Sequence, residues 1–146
     1  MKELDGASYS GGGTIVRQAV SLAALTGSDI RITNIRRKRP HPGLRPQHTC
    51  VVEAIRGLVG GNADGNNVGS STLVFKHGRE VVRTLYTWDI GSAGSTVLLA
   101  QALLPLVAFH RHEATIQPRG GVFQDFAPPF YHLEHSLLPL LRHMGL

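Results

Sequence analysis

One order of elements occurs twice in this chain, about 80 residues apart, and it restricts the possible folds more than any single motif does. Gly11-Gly12-Gly13 opens a stretch in which Ile15, Val16, Ala19, Val20 and Ala23 recur at the period of an amphipathic helix. Thr14, Arg17 and Ser21 form a polar stripe along it, and Gly27 supplies the stop. Asp29–Ile35 alternates and predicts a strand. A basic, proline-rich loop follows from Arg36 to Arg45. Pro46 then suits the first turn of a second helix carrying Val51, Val52, Ile55, Leu58 and Val59. The same order returns from Gly91. Gly91-Ser92-Ala93-Gly94-Ser95-Thr96 opens an apolar helix through Phe109, and a strand follows over Glu113–Gln117. A glycine-rich loop runs from Pro118 to Ala127. Pro128-Pro129 then leads a last helix with Phe130, Leu133, Leu137, Leu140 and Met144 on one face. Between the copies, Asn62–Gly69 reads as a loop, and Ser71–Lys76 with Glu80–Trp88 reads as a hairpin around His77-Gly78.

Such a chain is expected to be α+β, built in α/β layers, with a first unit over residues 1–80 and a partial second unit over 81–146. The helix opened by Gly94-Ser95-Thr96 is apolar nearly all round, so a second copy or further chain is expected to cover it. No apolar run approaches the ~20 residues that span a bilayer, so a membrane is not expected as partner. Met1-Lys2-Glu3-Leu4-Asp5 has no apolar signal core. The single cysteine, Cys50, fits a reducing cytoplasm.

The net charge of +5 is concentrated. Residues 1–60 hold nine Lys/Arg and four Asp/Glu, which accounts for all of it, and the cations are densest over Arg36–Arg45. A basic cluster serves an anionic partner or simply solubility. Here the prolines stiffen the loop, and the arginine fork matches phosphate oxygens. Gly12, Gly13 and Thr14 stand at a helix start, where backbone N–H groups and the positive end of the dipole favour an anion, with Arg17 one turn further in. Gly94-Ser95-Thr96 offers the same pattern. Gln47 and His48 fall in the first turn of the second helix.

The chain has eight histidines. His110/His112 and His132/His135 are closely spaced but match no zinc signature, and no metal site is expected among them. No Ser/His/Asp or Cys/His arrangement for nucleophilic catalysis stands out.

Taken together these motifs resemble the RNA 3′-terminal phosphate cyclase family. The likeness is carried by Leu4-Asp5-Gly6-Ala7 with Gly11-Gly12-Gly13 and Arg17. It continues in Ile35-Arg36-Arg37-Lys38-Arg39, in Pro42-Gly43-Leu44-Arg45-Pro46-Gln47-His48 and in Asp89-Ile90-Gly91-Ser92-Ala93-Gly94-Ser95-Thr96. Gly120-Gly121, Ala127-Pro128-Pro129 and Leu137-Leu138-Pro139-Leu140-Leu141 complete it. The resemblance implies tandem units of two helices on a four-stranded sheet, like the C-terminal domain of translation initiation factor three. It implies conversion of an RNA 3′-phosphate to a 2′,3′-cyclic phosphate, with ATP and a divalent metal (Mg or Mn) as cofactors and a histidine that becomes adenylated. It places Arg17, Arg36, Arg39 and Gln47 on substrate or nucleotide phosphate and Pro128 or Pro129 beside the adenylate. The family's nucleophilic histidine lies in a later part of the chain, so no catalytic residue is expected here, and these 146 residues alone are expected not to cyclise RNA. Ser10 stands where the family has an acid associated with the metal. Thr14 replaces a Gln, Val122-Phe123 replaces a Thr and a polar residue, and Tyr131 stands at an acid. These departures leave a second expectation open: a non-catalytic relative that binds RNA or assists ribosome assembly.

Overall fold

A computed structural model of the chain describes residues 1–79, 84–109, 113 and 115–146. Its elements run β1 (Lys2–Asp5), α1 (Thr14–Leu25), β2 (Ile30–Thr33), α2 (Pro46–Val59), β3 (Asn62–Asp64), β4 (Leu73–Lys76), β5 (Leu85–Asp89), α3 (Thr96–Ala108) and β6 (Thr115–Arg119). The last helical stretch is α4 (Phe130–His132), a π-helical turn (Leu133–Leu137) and α5 (Leu138–His143). The architecture is α+β. The described strands form a four-stranded sheet, ordered β1-β2-β4-β3, and a two-stranded sheet, β5-β6.

The helix starts expected at Thr14 and Pro46 hold. α1 buries Val16, Val20, Ala23 and Ala24, and α2 buries Val51, Val52, Ile55 and Leu58. Both faces meet Ile30, Ile32, Leu73 and Phe75 of the sheet in one apolar core. Each glycine turn is preceded by a strand that pairs in parallel with the strand after the helix: β1 with β2 across α1, and β5 with β6 across α3.

Two expectations about the strands change. Ser71–Lys76 and Glu80–Trp88 do not form a hairpin: β4 lies antiparallel to β2 and β3, while β5 pairs with β6. Residues 80–83 of that expected strand, and His110 and His112, lie outside the described residues. The supposed loop 62–69 contributes β3, whose Ala63 lies opposite Phe75, so the true hairpin is β3–β4. Asn-Ala-Asp has no strand propensity, and the open edge of β4 recruits it by pairing alone. β1 had no periodic signal, because all four of its residues are exposed on an edge strand.

α3 is less covered than an all-apolar helix should be. Val97, Leu99, Ala102 and Leu103 are buried, whereas Leu98, Leu104 and Leu106 are half-buried. Its inner face packs on α1, where the buried Ser21 Oγ–H donates to the Ala102 carbonyl at 2.7 Å. That bond joins the two halves of the chain one turn before Pro105, a residue that breaks the helix's own ladder. Ser21→Ala is expected to cost about 1 kcal/mol, read as a lower urea midpoint at unchanged m-value. The last helical stretch differs most from expectation: of its apolar face only Leu133 is buried, while Phe130, Leu140 and Met144 are exposed.

Candidate anion site at two glycine turns

The site begins with the hydrogen bonding of the first loop. Asp5 Oδ1 accepts from the Ala7 N–H at 3.0 Å and from Asn34 Nδ2 at 3.2 Å, tying the glycine loop to the end of β2. These two donors hold the Asp5 carboxyl below its ordinary range. Immediately after Asn34 the chain turns through Arg36, at φ +54°. Arg36 Nη1 donates to the carbonyls of His41 (2.7 Å) and Gly43 (3.1 Å), so this arginine staples its own loop. Lys38 Nζ donates to the Tyr9 carbonyl at 3.2 Å and pins the basic loop onto the glycine loop.

α2 supplies the centre. Its first turn carries Gln47 and His48, and each sits on a glycine of a different turn. A Cβ on Gly13 would lie 2.0 Å from His48 Nε2, and a Cβ on Gly94 would lie 2.9 Å from Gln47 Cβ. Only residues without side chains let the starts of α1 and α3 close on the start of α2. Gly13 itself has φ −65°, so close approach rather than backbone freedom requires glycine there.

The result is one cavity of about 450 Å3. Arg17, Arg36, Arg39, Gln47 and His48 all line it, as do Gly12, Gly13 and Thr14. Arg39 Nη2 lies 3.4 Å from where a Cβ on Gly12 would stand, so its guanidinium lies beside the first glycine turn. Arg17 Nη2 donates to Thr14 Oγ1 at 3.0 Å, and burial lowers its pKa. Desolvation, then Arg45 and Arg39, lower that of Arg36. Among the described residues none of these three guanidiniums has a carboxylate ion-pair partner, so positive charge accumulates in a recess. The environment resists that charge, and an entering anion relieves it.

The two glycine turns are not equivalent. Ser95 Oγ accepts the Leu98 N–H at 3.2 Å and closes the start of α3, whereas α1 has no side-chain cap at Gly13. The open helix start is therefore the one beside His48 and Arg39. Gln124, Asp125, Phe126 and Ala127 form a further wall that the sequence did not point to. They reach it because Gly121 pairs with the second turn: its N–H donates to the Gly94 carbonyl at 2.9 Å, and its carbonyl accepts from the Thr96 N–H at 2.8 Å. The cavity wall ends at Ala127. Pro128 is half-buried and Pro129 exposed just beyond it, leading into α4.

Asp125 is the one carboxylate in this wall. Among the described residues no three His, Cys, Asp or Glu side chains cluster as metal ligands. Mg is commonly held by one or two carboxylates together with substrate phosphates and water, and Asp125 is the carboxylate this wall offers. His132 and His135 are exposed, and His135 stacks on Tyr131 at 6.0 Å between ring centroids.

The family model described as RNA 3′-terminal phosphate cyclase matches residues 8–146. A protein of that name from Methylococcus capsulatus is 41% identical over 97% of this chain and 41% of its own length. One from Ectopseudomonas mendocina is 43% identical over 98% and 41%, and one from Pyrococcus abyssi 39% identical over 100% and 42%. The chain thus spans about two fifths of the length of the curated relatives it matches. With the motifs of both glycine turns and the basic loop inside that match, the chain belongs to the RNA 3′-terminal phosphate cyclase family.

Proposed function

We propose that this chain is the phosphate-gripping part of an RNA 3′-terminal phosphate cyclase, with residues 1–80 and 81–146 as successive units meeting at the anion cavity. The observation that carries the reading is the seating of Gln47 and His48 on the two glycine turns, which gathers Arg17, Arg36 and Arg39 around one recess. A terminal phosphate, or the phosphates of ATP, meets planar donors there, of which Arg17 and Arg36 are already held by hydrogen bonds before binding. ATP, when bound, supplies the activating AMP group that makes a terminal phosphate oxygen a leaving group. The chain's own residues hold the phosphate, offset its charge and fix where its oxygens point.

His48 is not a nucleophile in this reading. Its Nδ1 accepts the Arg45 N–H at 3.0 Å, which leaves no ring lone pair for attack on phosphorus. Incubation of the 146-residue chain with ATP, divalent metal and 3′-phosphorylated RNA is therefore expected to give no protein-bound AMP. Binding tests the grip itself. An oligoribonucleotide ending in a 3′-phosphate is expected to bind about tenfold tighter than the same oligonucleotide ending in a 3′-hydroxyl, and Arg39→Ala should erase the difference. Equal affinities in the wild type would remove the reading. A non-catalytic RNA-binding relative is the second reading. Ser10 in place of an acid, with Val122 and Tyr131, favours it, the arginines of the cavity favour the first, and turnover by a longer form of the protein would separate the two.

A further inference from the structure

We infer that His48 is a ligand-binding residue of the anion cavity, and that it acts as a neutral donor through Nε2–H, never as a cation. This rests on the reading of the cavity as an anion site and adds a member and a charge state to it. The ring is 2% exposed, yet it lines the cavity. Nδ1 accepts the Arg45 N–H at 3.0 Å, so the ring's one proton resides on Nε2. Nε2 lies over Gly13, where a Cβ would come within 2.0 Å, at the helix start that has no side-chain cap. Among the described residues Nε2–H has no acceptor. The ring is buried except where it opens on the cavity, and there its donor, beside an uncapped helix start and the guanidiniums of the same cavity, has no protein acceptor and suits an anion oxygen.

Charge points the same way. Arg17 acts on the ring from α1, Arg36 from the basic loop and Arg45 from the start of α2, while Arg39 lines the same cavity. Asp125 faces the cavity from the loop after β6. Protonating the ring would add a fourth cation to a recess already lined by Arg17, Arg36 and Arg39, and it would break the Arg45 bond. Burial, and then Arg17, Arg36 and Arg45, push the ring down to about 3. The donor set is therefore constant across neutral pH. The cavity's preference for an anion should follow only the ligand's own ionisation, which for a phosphomonoester lies near pH 6. A terminal monophosphate dianion is the ligand class such a pocket favours over a diester.

Sulfate is the probe, because its charge does not change between pH 5 and 8. Sulfate affinity of the whole 146-residue chain should vary by less than about twofold over that range. The His48 ring 15N signals should show Nδ1 as acceptor and Nε2 protonated throughout, with the Nε2–H resonance shifting when sulfate is added. His48→Leu should bind sulfate about tenfold more weakly, and His48→Gln, which can place an amide N–H near Nε2, should recover most of the loss. Affinity that rises as pH falls through 6.5, or sulfate binding with the ring signals unmoved, overturns the inference while leaving the anion site standing. No sulfate binding by the wild type removes both. Arg39→Ala, expected to lose sulfate with the His48 ring signals unchanged, tests the underlying site separately.

Discussion

Acidification from pH 7 to 5 is expected to lower the folding stability of this chain by about 2 kcal/mol through His48 alone, rising to about 4 kcal/mol at pH 3. The ring is held near pKa 3 in the folded state, against about 6.5 when unfolded. Between those values the unfolded chain binds a proton that the folded chain refuses, so the contribution is complete above pH 6.5 and is lost as pH falls toward 3. Carboxylates add their own slope at the acid end, so the informative quantity is a difference. Urea unfolding of wild type and His48→Leu should show the variant weaker at pH 7, because Arg45 N–H loses its acceptor. Its disadvantage should shrink by about 2 kcal/mol by pH 5. Parallel pH profiles would mean that the ring titrates normally in the folded protein.

Gly13→Ala should be among the most damaging small changes available. Gly13 has an ordinary φ, so alanine is disfavoured only by contact: its Cβ would meet the buried His48 ring at 2.0 to 2.8 Å. The ring cannot swing away without giving up the Arg45 bond. Overpacking of this kind costs about 1–3 kcal/mol, and displacement of Nε2 should weaken anion binding by about tenfold or more. Gly12→Ala is the matched control. Its Cβ would meet only the Arg39 guanidinium at 3.4 Å and the Ser10 hydroxyl at 3.5 Å, both ends of mobile exposed side chains. Its stability should change by less than about 0.5 kcal/mol. Equal melting temperatures for the two variants would contradict the packing described here.

What the sequence revealed, and what it hid, follows from which forces act locally. α1 and α2 were legible because periodicity, a glycine turn and Pro46 all agree within each segment. β3 and the β5–β6 pair were hidden because strand pairing is a long-range choice: Asn62–Asp64 is a strand only because β4 leaves an edge beside it. The site shows the same division. The basic loop and the first glycine turn stood out by residue type, and Arg17, Arg36, Arg39 and Gln47 do share one cavity with Gly12, Gly13 and Thr14. The role of His48 was not legible, since a histidine three residues after Arg45 gives no sign of which ring nitrogen is tied down. Nor could the sequence reveal that Gly94 is small because Gln47 lies on it. Gln124–Ala127 was hidden too, because it reaches the cavity through backbone bonds between Gly121 and the second glycine turn.

The most direct test of the shared cavity is a crystal of the chain soaked in selenate, with anomalous scattering used to place the anion. A selenium peak is expected within hydrogen-bond reach of both Arg39 Nη2 and His48 Nε2, beside Gly13. Well-occupied selenate elsewhere on the surface, with none between those two side chains, would contradict the claim that the basic loop and the glycine-led helices form a single anion site.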